Sequence, residues 1–124
     1  MTLKEYQDRA MTTCMESSNN FAYMSFGLQG EVGEFMGKIA KFIRQDKAYI
    51  KNNELMLSEN ELGIPKMTKE ESKALISELG DCLWFVAGLA KSLGWPLEEV
   101  AQMNLDKLQD RKARNVIDGS GDNR

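Results

Sequence analysis

Four carboxylates occupy matching positions on two stretches of predicted helix. Glu31 and Glu34 are three positions apart, and Glu78 and Asp81 repeat that separation 47 residues later. Residues three apart lie on one helix face, so each helix presents a pair of carboxylates. Two such pairs packed together repel each other unless a cation lies between them. Since Mg²⁺ prefers oxygen ligands, the pattern predicts a Mg²⁺ site, with Mn²⁺ as an alternative ion.

The sequence around the two acidic pairs is also repeated. Leu28 aligns with Leu75 and Gly33 aligns with Gly80 at the same constant offset. The carboxylates therefore lie along the same edge of the apolar stripe in both helices. If the two stripes pack antiparallel, the pairs come together. A single Glu-x-x-Glu pair is more simply a solvated helix flank, and this interpretation stays open for both pairs.

Polar and basic residues on the last helix form a second group. Asn104, Lys107 and Arg111 share one helix face, where basic side chains could hold phosphate charge. The alternative is that their aliphatic stems cover apolar surface while the charges reach water. Lys38, one turn after Glu34, could pair with the acids or with phosphate.

Composition excludes several classes of protein. The chain has no histidine, which excludes Ser-His-Asp and Cys-His catalysis and the Glu-x-x-His di-iron bundle. The net charge of −3 gives no basic excess for duplex nucleic acid. No apolar run reaches membrane-spanning length and no signal peptide is evident, so we expect a cytoplasmic protein without membrane contact. The two cysteines are expected to be free.

The elements that carry these residues are predicted to be all-α, within one domain of 124 residues. Thr68 and Glu71 form a capping box before the third helix, and Gly94 ends that helix. Pro96 is expected as the first residue of the fourth helix. The approximate helix ranges are 3–15, 21–44, 68–92 and 96–113, with an irregular insert at 46–66 and a polar tail at 115–124.

Glycines on the second helix suggest that another segment of backbone packs closely against it. Gly30, Gly33 and Gly37 lie opposite the apolar stripe, and each costs up to about 1 kcal/mol relative to alanine. Another backbone packed against them would explain their presence, and a locally loose helix is the alternative. Together with Trp84, which lies away from the main stripe of its helix, they favour a homo-oligomer, either a homodimer or a homotetramer.

The order of these motifs resembles a known family. The relevant segments are Gly30-Glu31-x-x-Glu34, Glu78-Leu79-Gly80-Asp81-x-Leu83-Trp84 and Asn104-x-x-Lys107-Leu108-x-x-Arg111. They resemble the MazG-like nucleotide pyrophosphohydrolases of the all-α NTP pyrophosphatase superfamily, which also includes dimeric dUTPases. The resemblance implies a four-helix MazG-like bundle completed by oligomerisation. It also implies Mg²⁺-dependent cleavage of a nucleoside or deoxynucleoside triphosphate into monophosphate and pyrophosphate.

The same resemblance suggests roles for individual residues. Glu31 or Glu34 would activate the attacking water, Lys107 and Arg111 would bind the phosphates, and Asn104 would contact sugar or phosphate. The interval between Glu34 and Glu78 is longer than in the usual pattern. The excess lies in the 46–66 insert and could reshape the base pocket, so substrate identity cannot be carried over.

The polar tail at 115–124 has a composition that is typical of disorder. Glycines flanking Ser120 would let backbone N–H groups approach an anion, and Arg124 could bind phosphate with two N–H groups. Arg114 precedes them on the fourth helix. We therefore expect the tail to close over the triphosphate and to become ordered only when nucleotide binds.

Two alternatives to triphosphate hydrolysis remain open at this stage. The substrate could be an alarmone or another pyrophosphate, which the sequence does not distinguish from a nucleoside triphosphate. The chain could also be a non-catalytic helical interaction protein whose acids serve solubility or docking.

Overall fold

The structure is a computed structural model that describes residues 1–124. It is mostly helical, which confirms the predicted all-α class, with four α-helices and one small two-stranded sheet. A short 3₁₀ turn at Glu16–Ser18 separates the first two helices. The elements in chain order are α1 (Leu3–Met11), α2 (Phe21–Arg44), β1 (Ala48–Lys51), β2 (Glu54–Leu57), α3 (Lys69–Ser92) and α4 (Leu97–Ala113).

The two long helices begin and end where local signals place them. The Asn20 side chain accepts a hydrogen bond from Tyr23 N and so caps α2. Thr68 and Glu71 form the predicted capping box at the start of α3. After α3, Gly94 adopts a φ of 79°, which a glycine tolerates at low cost. These caps confirm the predicted bounds of α2 and α3.

The ends of α1 and α4 differ from the prediction. Helix α1 stops at Met11 rather than near Met15, and the hydroxyls of Thr12 and Thr13 donate to the carbonyl oxygens of the preceding turn at 2.6 Å each. Such local bonds compete with helix continuation. Pro96 precedes α4 as its N-cap with an extended ψ of 134°, while Gln7 Oε1 accepts from Leu97 N at 3.0 Å. A tertiary contact thus caps α4.

The insert is more regular than the sequence suggested. Strands β1 and β2 pair antiparallel, with Lys51 opposite Glu54. Asn52 and Asn53 have φ values of 52° and 65°, as in a type I′ hairpin turn, where asparagine is favoured. The prediction of an irregular segment was therefore wrong for these residues. Beyond the hairpin, the Asn60 side chain accepts from Leu62 N and Ile64 N.

Two separate clusters form the core. One lies between α1, α2, α3 and α4 and contains Met11, Met24, Phe85, Ala87, Ala90 and Leu97. The other lies at the hairpin end and contains Phe42, Ala48, Met67 and Leu75. Only 16 of the 124 residues are buried, so the chain by itself buries a small core.

Trp84 belongs to the first of these regions. Its Nε1 donates to Ala10 O at 3.1 Å and to Thr13 Oγ1 at 2.9 Å, and its ring packs edge-on against Phe85. Trp84 is therefore explained within one chain and no longer supports an oligomer. Both cysteines are free, as expected. None of the helices combines the length and apolar composition that crossing a bilayer requires.

Glu71 should make the fold sensitive to acid. Lys47 pairs with its carboxylate, and the pKa of Glu71 is lowered, first by the hydrogen bond from Lys47 and then by that from the Thr68 backbone. A lowered carboxyl pKa stabilises the fold above the usual glutamate value of about 4.3, and this contribution is lost as the pH falls through the folded pKa. We expect Glu71→Gln to lower the melting temperature at neutral pH and to flatten its decline in acid.

Circular dichroism melts at a series of pH values will measure this effect. Glu70→Gln is the matched control, because the Glu70 carboxylate lies on the same helical turn as Glu71 but makes no ion pair. An identical pH dependence for Glu71→Gln and the wild type would contradict the assignment.

Candidate metal and phosphate site

Helices α2 and α3 run antiparallel, and this places the acidic pairs side by side. Near one end, a Cβ on Gly88 would lie 2.3 Å from Met24 Sδ, and one on Gly27 would lie 2.0 Å from the Phe85 ring. Residue numbers thus rise along α2 as they fall along α3. Continuing this register brings Glu31 beside Glu78 and Asp81.

Three of the four predicted carboxylates converge. One ligand oxygen from each of Glu31, Glu78 and Asp81 lies within 4.8 Å of the others. Glu78 is buried, with 6% of its surface exposed, whereas Glu31 is half-buried and Asp81 exposed. Glu34 is exposed and lies outside this acidic triad, although its charge is close enough to act on Glu31.

The three carboxylates of the triad repel one another. The pKa of Glu31 is raised, first by burial and then by the charges of Glu34, Asp81 and Glu78. Lys38 supplies a counter-charge, because its Nζ lies 2.8 Å from Glu78 Oε1. That hydrogen bond is the main cause of the raised pKa of Lys38. One ammonium group leaves the cluster with excess negative charge, so its oxygen donors suit a hard divalent cation.

The predicted phosphate ligands lie elsewhere, on α4. Lys107 Nζ and Arg111 Nη2 form ion pairs with Asp122 at 3.4 and 3.1 Å, rather than with the acidic triad. Asn104 and Lys107 also line an open pocket of about 390 Å³ together with Trp95, Val100 and Met103. Within one chain, the carboxylates and the α4 cations therefore form two separate groups.

The tail follows a folded path along α4, contrary to the disorder that its composition suggests. Arg114 Nη2 donates to Arg124 O, and Arg124 Nη1 donates to Gly121 O, both at 2.7 Å. Ser120 is exposed and makes no hydrogen bond with the cations. The tail residue that meets Lys107 and Arg111 is Asp122, which sequence reasoning missed because an acid in a polar tail carries no positional signal.

Comparison with known proteins identifies the family. Residues 20–116 match the MazG nucleotide pyrophosphohydrolase domain. This chain belongs to the MazG family. The matched region includes all four carboxylates and the polar face of α4, which confirms the resemblance inferred from the motifs and indicates a nucleotide pyrophosphohydrolase domain.

A relative extends the similarity beyond the family match. The "Gene 37 protein" of Mycobacterium phage L5 is 40% identical over 109 residues, which cover 88% of this chain and 81% of the relative. No solved structure matches the chain. The functional assignment therefore depends on the MazG domain and on the geometry of its acidic triad.

Loss of one triad carboxylate should weaken metal binding without destabilising the fold. Glu31→Gln relieves repulsion, so its melting temperature without divalent ions should equal or exceed that of the wild type. Its affinity for Mg²⁺ should fall at least about tenfold, since even indirect supports of a metal site contribute that much. Thermal melts across a Mg²⁺ titration will measure both effects.

Glu70→Gln is the control, because Glu70 lies in the first turn of α3, outside the triad, and it should respond to Mg²⁺ as the wild type does. If Glu31→Gln retained the full Mg²⁺-dependent rise in melting temperature, Glu31 would not be a ligand.

Proposed function

We propose that this MazG-family chain hydrolyses nucleoside or deoxynucleoside triphosphates to the monophosphate and pyrophosphate in a Mg²⁺-dependent reaction. The observation that supports this most directly is the convergence of Glu31, Glu78 and Asp81 between α2 and α3. A cluster of oxygen donors with excess negative charge is suited to recruiting the cation that a triphosphate also requires.

The acidic triad would hold the metal. Glu31, Glu78 and Asp81 offer carboxylate oxygens close enough together to share one ion. When bound, Mg²⁺ would polarise phosphoryl oxygens and neutralise the charge that develops during the reaction. Lys38 holds the Glu78 carboxylate at 2.8 Å and so fixes its orientation within the triad.

Glu34 is the carboxylate best placed to act as the general base. It lies one turn from Glu31 on α2 but outside the triad, so its oxygens remain free to accept a proton. A water molecule would attack the α-phosphorus as its proton passes to Glu34. The bond from the α-phosphorus to the bridging oxygen then breaks, and pyrophosphate leaves with the bonding electron pair.

The α4 cations would bind the phosphate chain. Lys107 supplies a point charge and Arg111 a planar group that can bind two oxygens. The adjoining pocket offers the Asn104 amide and the Trp95 indole to the sugar and base. Further polar groups would come from Arg114 at the end of α4 and from Ser120 and Arg124 in the tail.

Isotope labelling will test the position of attack. In H₂¹⁸O with Mg²⁺ and a panel of canonical, deoxy and modified triphosphates, ¹⁸O should enter the monophosphate and be absent from pyrophosphate. We expect Asp81→Asn to lower kcat/KM at least about a hundredfold, equivalent to about 2.7 kcal/mol. Glu70→Gln should retain wild-type turnover.

The same assay, extended to an alarmone and a non-nucleotide pyrophosphate, distinguishes triphosphate hydrolysis from the two alternative functions. Turnover of an alarmone or a non-nucleotide pyrophosphate, without turnover of any triphosphate, would replace the proposed substrate class. If no phosphoanhydride were cleaved by the folded, Mg²⁺-loaded protein, the non-catalytic interaction protein would be favoured.

We also propose that the chain forms a homodimer, with a homotetramer as the larger alternative. Nothing within 4 Å would meet a Cβ placed on Gly30, Gly33, Gly37 or Gly80. Apolar side chains near these glycines are also exposed: Val32, Met36, Leu79 and Leu83. A glycine-rich, apolar face that no part of its own chain covers is suited to a second copy.

A second copy would also unite the two groups of the proposed site. Within one chain, α4 packs on α1 and α3, and its cations pair with Asp122 rather than with the carboxylates. We therefore infer that Lys107 and Arg111 of one subunit act with the acidic triad of the other.

Coexpression of two defective variants will test this arrangement. Asp81→Asn damages only the triad, and Lys107→Met damages only the cation group. If the groups come from different subunits, mixed dimers contain one intact site, and activity at low substrate should recover to about one quarter of wild type. No recovery, with mixed dimers verified by differential tagging, would place both groups in one chain. A monomer of 14.0 kDa by light scattering would contradict the assembly itself.

A further inference from the structure

The α4 cations already hold an anion that belongs to the chain. The Asp122 carboxylate lies 3.1 Å from Arg111 Nη2 and 3.4 Å from Lys107 Nζ. Arg111 Nη2 also contacts the carbonyl oxygens of Gly121 and Asp122, each at 3.4 Å. A carboxylate oxygen and two carbonyl oxygens thus approach one nitrogen of the guanidinium, where a phosphate oxygen could bind instead.

Burial differs sharply across this contact. Arg111 is 5% exposed, whereas the Asp122 side chain is 86% exposed. The tail therefore brings an anion from the solvent side onto a buried guanidinium. Arg111 Nε is buried and has no hydrogen-bond partner. A buried, unsatisfied donor on a charged group is costly, so Asp122 does not use all the binding capacity of Arg111.

The path of the tail fixes Asp122 in this position. Asn115, two residues after the end of α4, has a φ of 58°. Val116 N donates to Arg111 O at 2.9 Å, so the chain reverses over the last turn of the helix. Arg114 then holds the carbonyl oxygen of Arg124. Because these bonds are accepted by backbone oxygens, another anion can replace the Asp122 side chain without breaking them.

We propose that the C-terminal tail is a displaceable latch, in which Asp122 occupies Lys107 and Arg111 and must be expelled by the phosphates of the incoming substrate. This inference rests on the proposed function in one respect, the assignment of these two cations to phosphate. The latch opposes the expectation from sequence that the tail closes over the triphosphate, because phosphate and tail here compete for the same donors. The pKa of Asp122 is lowered, chiefly by its hydrogen bond with Arg111, so the competing carboxylate remains ionised at neutral pH.

Binding of inorganic tripolyphosphate without divalent ions tests the latch independently of catalysis. Asp122→Asn keeps the shape of the side chain and removes its charge. Because the Asp122 carboxylate is 86% exposed in both competing pairs, and water weakens the pairing of an exposed charge, we expect about threefold to tenfold tighter binding by calorimetry. Asp118→Asn, also exposed in the tail and without an ion pair, is the matched control for net charge and should bind as the wild type does.

The calorimetric outcomes are decisive in both directions. Tighter binding by Asp122→Asn alone supports the latch. Unchanged or weaker binding by Asp122→Asn overturns it, and equal tightening by both variants overturns it too, since net charge would then be the cause. Lys107→Met should weaken binding, and if it does not, the phosphate assignment itself fails and the latch fails with it. A folded protein that binds tripolyphosphate in this pattern but cleaves no nucleotide would retain the latch and lose the proposed catalysis.

Hydrogen exchange gives a second, structural readout. If tripolyphosphate expels Asp122, backbone amides of residues 116–124 should exchange faster in the complex than in the free protein. Slower exchange in the complex would show that the tail closes over the ligand and would overturn the latch. Exchange in the middle of α3 should be unaffected and serves as the internal control.

Discussion

Repulsion among the carboxylates of α2 and α3 is the constraint on which the rest of this structure depends. The acidic triad can form only because packing on both sides of it holds the two helices together. Met24 and Phe85 pack toward one end, and Phe42 and Leu75 pack toward the other. Each such buried side chain contributes about 1.5–3 kcal/mol. Apolar burial thus holds in place a polar cluster that would otherwise drive the helices apart.

Each half of the proposed site contains its own counter-charge. Lys38 partly neutralises the triad through Glu78, and Asp122 neutralises Lys107 and Arg111. Because the two internal partners are single groups, neither balances its cluster in full. A divalent cation and a polyphosphate have the charges that would complete this compensation, so the proposed metal and substrate would match the protein electrostatically.

The small core explains why further contacts matter for this chain. With few residues buried and an apolar, glycine-bearing face exposed on α2 and α3, one copy has little stability to spare. Binding of metal or of a second subunit to the folded state would add stability through mass action. Folding, assembly and metal binding are therefore expected to be coupled in this protein.

Local sequence signals predicted much of the fold and the identity of most of the site. The approximate bounds of α2 and α3 were predicted, and the Thr68–Glu71 capping box was predicted at the start of α3. The repeat of the acidic pairs predicted which helices carry the carboxylates. The hairpin was also encoded locally, in the Asn52-Asn53 turn between two apolar runs, although that signal was interpreted as irregular structure. These features depend on residues a few positions apart, where sequence is informative.

Tertiary structure decided which side chains meet. That Glu31, and not Glu34, joins Glu78 and Asp81 depends on how α2 is rotated against α3, which periodicity fixes only to within a turn. Trp84 found its partners on α1, and Asp122 reached Arg111 through a reversal of the chain. Such contacts are set by the packing of whole elements and by charge pairing between distant residues. The sequence by itself therefore determined the chemistry available to this protein, whereas the folded chain decided which groups lie close enough to perform it.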